Sequence, residues 1–140
     1  MNVRSFQLSD YRLLTALLAE VLTEECYEQT MEAFARQLSW DSELVLVALY
    51  ESEVVGVIIG TIDNNTGYYY RVAVHADHQR QGIGKALIES LRLRFQQRQV
   101  KKILITADEH NEAVLPLYES LGYVSKDFFR SFQQLSIIAG

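Results

Sequence analysis

A single cysteine, Cys26, in a chain of 140 residues leaves no internal disulfide framework and no cysteine-cage zinc site to build on. Such sparing use of cysteine fits a reducing compartment. One proline, Pro116, and seven glycines are too few for a Pro/Gly-rich linker, and no repeat or low-complexity tract divides the chain. Basic residues are in deficit: 13 Lys and Arg against 18 Asp and Glu give a formal net charge of −5. That balance argues against nucleic acid as a partner, which a basic surface usually serves. The longest apolar run, 54–60, is far short of the ~20 residues a spanning helix needs, so no membrane partner is expected. The first ten residues put no long apolar core behind Arg4, so no signal peptide is expected and the location reads as cytoplasmic. What is present is ordinary for a globular protein: 49% hydrophobic residues, 22% charged, and a length that fits one domain, residues 1–140.

The hydrophobic pattern predicts the elements in order. Residues 3–7 alternate as a short strand, and Ser9 is placed to cap a helix over 10–23 with Leu14, Leu17, Leu18, Val21 and Leu22 on one face. A second helix is expected over 30–38, with Met31, Phe34, Ala35 and Leu38 inward. The β-branched runs 44–50 and 54–62, joined by Glu51-Ser52-Glu53, read as a hairpin. After a turn over 63–67, residues 68–74 form a third central strand. From Gly82 the period becomes helical, with Ile83, Leu87, Leu91 and Phe95 four residues apart and Ile88 beside them. A strand over 101–107, a short helix over 114–121 stopped by Gly122, and two strands near 123–126 and 129–137 complete the order. The fold class is α/β with a mixed sheet, not a regular doubly wound one.

Most informative is the passage from Val72-Ala73-Val74 through a polar loop to Gly82-Ile83-Gly84, where a helix starts. The start of a helix offers free backbone N–H groups and a partial positive charge. Without side chains at Gly82 and Gly84 a phosphate can approach those groups, and Arg80 and Lys85 add formal charge. The bland alternative is a tight turn packed against the sheet. The third glycine of a dinucleotide fingerprint is missing, as is the Gly-Lys-Ser/Thr of a P-loop.

Gln79-x-x-Gly82-x-Gly84 after the strand Val72-Ala73-Val74 resembles the acyl-CoA-binding motif of the GNAT superfamily of N-acetyltransferases. A second family signature follows about thirty residues on: Asn111, a short helix with Leu117-Tyr118-Glu119, then Leu121-Gly122-Tyr123. The element order is similar too, so the resemblance spans nearly the whole chain. It implies a three-layer fold, with a twisted, mostly antiparallel sheet flanked by about four helices and splayed between the strands near 68–74 and 101–107. It implies acetyl-CoA as co-substrate, with the pantetheine arm in that gap against the backbone of Val72, Ala73 and Val74. Gln79, Arg80, Gln81, Gly82, Ile83, Gly84 and Lys85 would cradle the pyrophosphate. Asn111 would contact the pantetheine region, and Tyr118 would sit near the thioester sulfur.

The implied reaction is direct attack of a primary amine on the acetyl carbonyl. A lysine-like amine, with a reference pKa of about 10.4, costs roughly 4.6 kcal/mol to deprotonate at pH 7. The departing thiolate also needs a proton, and a tyrosine with a reference pKa of about 10 holds one at neutral pH. Tyr118 is therefore the expected general acid, against the alternative that it only packs its helix on the sheet. The base is less determined. Some family members carry a glutamate five residues before the motif asparagine, where this chain has Thr106. Asp63, His75, Asp108, Glu109 and His110 are candidates, with a water relay preferred.

Other patterns carry less. His75-x-x-His78 has no clear third ligand, so no metal is expected. Tyr68-Tyr69-Tyr70 either packs across strands or lines an acceptor pocket. Glu24, Glu25, Glu28, Glu32, Asp41 and Glu43 form a solvated acidic face or, if they flank the cleft, favour a cationic amine. A small-molecule amine is the expected acceptor. A protein or peptide amine, or a non-catalytic acyl-CoA-binding regulatory role, remain the alternatives, and the resemblance makes a homodimer possible.

Overall fold

The computed structural model describes residues 1–129. Among the described residues six strands lie in sequence order across one sheet: β1 (Asn2–Ser5), β2 (Val45–Tyr50), β3 (Glu53–Asp63), β4 (Thr66–Val74), β5 (Lys102–Thr106) and β6 (Phe128–Phe129). The first four pair antiparallel, whereas β4–β5 and β5–β6 pair parallel. The helices are α1 (Tyr11–Val21), α2 (Glu24–Trp40), α3 (Ile83–Gln97), α4 (Glu109–Ala113) and α5 (Leu115–Ser120).

Alternation along the strands builds a core on each face. Val45, Val47, Val57 and Ile59 join Leu14, Leu18 and Phe34 of α1 and α2 on one side. Leu44, Leu46, Ala48 and Ile58 meet Leu87, Leu91 and Phe95 of α3 and Tyr118 of α5 on the other. The result is the expected three-layer, mixed α/β arrangement. Helix α3 lies close on the sheet because glycines make room: a Cβ at Gly60 would sit 2.7 Å from Leu91, and one at Gly67 2.9 Å from the Phe95 ring.

Several boundaries differ from the sequence pattern. Ser9 does not cap α1. It lies in a 3-10 turn over Leu8–Asp10, and α1 starts at Tyr11 behind Asp10, whose carboxylate accepts from Gln7 N–H and from Arg4 instead. Helix α2 starts at Glu24, six residues before the expected 30, because Thr23 caps it by accepting from Cys26 N–H at 3.2 Å. On that helix Ala35 is exposed, and Ala33 and Gln37 take the buried positions. The single helix expected over 114–121 is two short helices broken at Val114, with Pro116 in the first turn of α5. Proline removes an N–H and disfavours helical geometry in the residue before it, so a continuous helix cannot run through. Residues 123–126 form no strand: β6 begins at Phe128, after a 3-10 turn over Ser125–Asp127. Most of the expected 129–137 strand lies outside the described residues.

One irregularity positions the site. At Ile59/Gly60 the β3–β4 register shifts, pairing Ile59 with Arg71 and Gly60 with Tyr69, so Tyr70 is an extra, bulged residue. Strand β5 pairs with β4 only as far as Tyr69↔Ile105. Beyond that point the two strands part, as the resemblance implied.

Candidate active site

A cleft of about 600 Å³ opens beside the unpaired end of β4. Val72, Ala73 and Val74 form its floor, and His78, Gln79, Arg80, Gly82, Ile83, Gly84 and Lys85 form one end. His110, Ala113 and Val114 from the α4 region, Pro116 and Leu117 of α5, and Val21 of α1 close the other walls. Nine of the twelve expected cofactor residues thus share one cleft. Gln81 is exposed beside it, and Asn111 and Tyr118 lie behind its walls.

The glycine turn has two different causes. Gly82 adopts φ +83°, a left-handed conformation that disfavours any side chain, and none of the described residues lies within 4 Å of where its Cβ would be. Gly84 instead answers to packing: a Cβ there would meet Leu117 Cδ2 at 2.7 Å. The close-approach reading therefore fits Gly82, and the turn-packing alternative fits Gly84. Ala86 N–H donates to Gly82 C=O at 3.0 Å, so the N–H groups of Ile83, Gly84 and Lys85 precede the helical ladder and are available to an anion. Gln79 folds back, its Nε2 donating to Val74 C=O at 3.1 Å, and steadies the loop.

Asn111 is fully buried and bridges the parting strands. Its Nδ2 donates to Tyr70 C=O at 2.8 Å on β4 and to Thr106 C=O at 2.5 Å on β5, while Oδ1 accepts from Arg71 Nη1 at 3.2 Å. Its amide is thus engaged within the protein, which makes it the wedge of the splay instead of a contact in the cleft. Arg71, which no sequence motif singles out, is the centre of this region. It is fully buried, with Nε on Thr30 Oγ1 at 3.0 Å and Nη1 on Asp108 at 2.9 Å. A lone arginine inside the aromatic and aliphatic run 68–74 was the available signal. Its second terminal nitrogen, Nη2, and the hydroxyls of Thr106 and Tyr118 are buried without partners among the described residues.

Tyr118 is fully buried against Tyr69, Tyr123 and Phe128. Burial drives its phenol well above the ordinary value, with the Arg71 charge opposing, so it keeps its proton throughout the neutral range. Tyr69 packs rather than lining the cleft, its hydroxyl 2.6 Å from that of Tyr123. Asp41 and Glu43 of the acidic series pair with Arg98 and Arg94 near the end of α3, away from the cleft. Glu24, Glu25, Glu28 and Glu32 are exposed on α2.

A strand that parts from its parallel neighbour, a glycine turn at a helix start and an asparagine wedge between the two define an acyltransferase fold. Residues 12–123 match the acetyltransferase (GNAT) family, and the chain belongs to that family. It is 32% identical over 127 residues to an acetyltransferase of Yersinia enterocolitica, covering 91% of this chain and 90% of that one. An acetyltransferase of Pectobacterium atrosepticum matches to the same extent. The fold is shared with the aminoglycoside antibiotic 6'-N-acetyltransferase of Acinetobacter haemolyticus (TM-score 0.72, 16% identity, 96% of this chain and 99% of that one). It is shared too with the ribosomal-protein-S18-alanine N-acetyltransferase of Escherichia coli (TM-score 0.65, 22% identity, 86% of this chain and 76% of that one). The protein is an N-acetyltransferase. Among the described residues, no helix is long and apolar enough to cross a membrane.

Proposed function

We propose that this enzyme moves the acetyl group of acetyl-CoA to a primary amine of a small molecule. The observation that carries the reading is the cleft between two chemically distinct ends. At one end, the open N–H groups after Gly82, with Arg80 and Lys85, suit the phosphates. At the other, Val72 and Val74 lie on a strand edge that β5 has left; their carbonyls already accept from His110 and Gln79, and their N–H groups suit the carbonyls of an extended arm. The thioester then lies toward the wedge; Tyr118 keeps its proton but stands fully buried behind the cleft wall, so its part as donor for the departing thiolate requires the bound cofactor to reach its hydroxyl. The acceptor reading rests on Thr106, whose buried hydroxyl stands where some family members carry a glutamate. The exposed Glu20 and Glu24, on either side of the α1–α2 junction, add negative potential that suits an amine cation.

Thermal unfolding with acetyl-CoA and with free CoA tests the cofactor site. At 100 times the dissociation constant a ligand adds about 2.7 kcal/mol, or about 9 °C for a chain of 140 residues. Thiol release is then followed with small amines and with peptide amines. A melting temperature unmoved by either ligand would sink the cofactor assignment, and release with peptides alone would transfer the acceptor to proteins.

A further inference from the structure

We propose that His110 is the general base of the transfer, with Nδ1 as the atom that takes the acceptor's proton. This rests on acetyl transfer taking place in the cleft just described. His110 stands in the cleft wall at the head of α4, one residue before the wedge. Its Nε2 lies 3.0 Å from the carbonyl oxygen of Val72. A carbonyl only accepts, so Nε2 must carry the hydrogen. In the neutral ring that leaves Nδ1 with a lone pair, and Nδ1 has no partner among the described residues. The backbone of β4 thus selects the tautomer and orients the ring, as a carboxylate or carbonyl does for other catalytic histidines.

Charge and burial keep the ring ready. Burial is the main influence and lowers the His110 pKa, the Val72 carbonyl opposes it, Arg71 on β4 lowers it further and Asp108 opposes again. The net direction is down, so the ring is neutral at pH 7. Arg71 and Asp108 face it from β4 and from the head of α4, and His78 and Lys85 share the cleft wall.

The other candidates are committed or distant. Asp108 accepts from Arg71 and from Asn111 N–H. His75 Nδ1 accepts from Asp77 N–H, and its Nε2 faces Glu20 at 3.3 Å. Asp63 pairs with Thr66 at the other end of β4, and Glu109 is exposed outside the cleft wall. His78 shares the cleft and its Nδ1 also has no partner among the described residues, but it ends the turn leading into the phosphate cradle and its ring packs tilted against Tyr50.

In the step, Nδ1 accepts a proton from R–NH3+, giving R–NH2 and imidazolium. The amine nitrogen bonds to the acetyl carbonyl carbon, the C–S bond breaks, and the nitrogen's surplus proton ends on the CoA thiolate, directly or through Tyr118. The imidazolium returns its proton to water. Amide, CoA and one proton are the balanced products.

His110→Gln keeps a side-chain N–H for the Val72 carbonyl and removes the titrating lone pair. At saturating acceptor, kcat of the wild type is expected to fall as pH drops through a midpoint below the usual histidine value of about 6.5. In His110→Gln, kcat falls on the order of 100-fold and that acid limb disappears, while the acetyl-CoA thermal shift stays. A variant that keeps the limb overturns the assignment. An NMR titration of His110 in the wild-type enzyme with CoA bound gives an independent check, because its midpoint must coincide with that of the limb, and a mismatch also overturns it. Absence of any acetyl-CoA shift in the wild type would instead defeat the cofactor reading beneath it.

Discussion

The hydroxyl of Tyr118 sits in a fully buried ring cluster with no partner among the described residues. An unpaired buried polar group costs about 1–3 kcal/mol, so the folded state has little to lose when that oxygen is removed. Tyr118→Phe is therefore expected to match the wild type in stability or exceed it by about 1 kcal/mol in urea unfolding. Catalysis should move the other way. If the phenol protonates the thiolate, kcat falls on the order of 100-fold with acetyl-CoA binding kept. A Phe variant as fast as the wild type would return Tyr118 to a packing role, and one markedly less stable would show that its hydroxyl is partnered in the folded state. Arg71 is the reverse case. Three of its partners come from other elements, so its importance depends on contacts that no local pattern announces.

At the scale of elements, the start of α3 separates conformation from packing. Gly82→Ala forces a side chain into φ +83° in open space, so about 1–2 kcal/mol of strain is expected, with little steric cost. The turn would relax away from that conformation and disturb the N–H groups that face the cleft. Weaker acetyl-CoA binding by isothermal titration checks this, and unchanged affinity would detach Gly82 from the cradle. Strands β2 to β4 and helix α3 were legible because each buries one face at a regular period. The start of α2 was not, because residues 24–29 carry no apolar stripe; the capping Thr23 and the first-turn Glu24 and Glu25 were the readable signal. The nine expected residues that line the cleft were legible from one motif, the Gln79-x-x-Gly82-x-Gly84 turn and the strand before it. The wedge geometry of Asn111 was not, since its partners, Tyr70 and Thr106, are 41 and five residues away in the chain.

For the molecule as a whole, the splay divides the sheet into a larger part, β1 to β4 with α1 to α3, and a smaller one, β5 and β6 with α4 and α5. Four residue pairs join β4 to β5, and past Tyr69↔Ile105 the connection passes to the Asn111 side chain. Asn111→Ala would remove the side-chain donor from two buried carbonyls and one of two acceptors from Arg71 Nη1, which keeps Asp108. A cost of about 3 kcal/mol is expected, equivalent to about 10 °C in melting temperature. Asn111→Asp is nearly the same shape but replaces a two-hydrogen donor with an oxygen that can only accept when ionised. That oxygen would face the Tyr70 and Thr106 carbonyls, with Asp108 nearby, and only Arg71 on the other side offers compensation. The aspartate is therefore expected to be at least as destabilising as the alanine near pH 7 and to recover as pH falls and the carboxyl gains a proton to donate. Urea unfolding of both variants at pH 7 and pH 5 measures this. An aspartate variant as stable as the wild type at pH 7 would show that shape, not hydrogen-bond donation across the split, holds the two parts together.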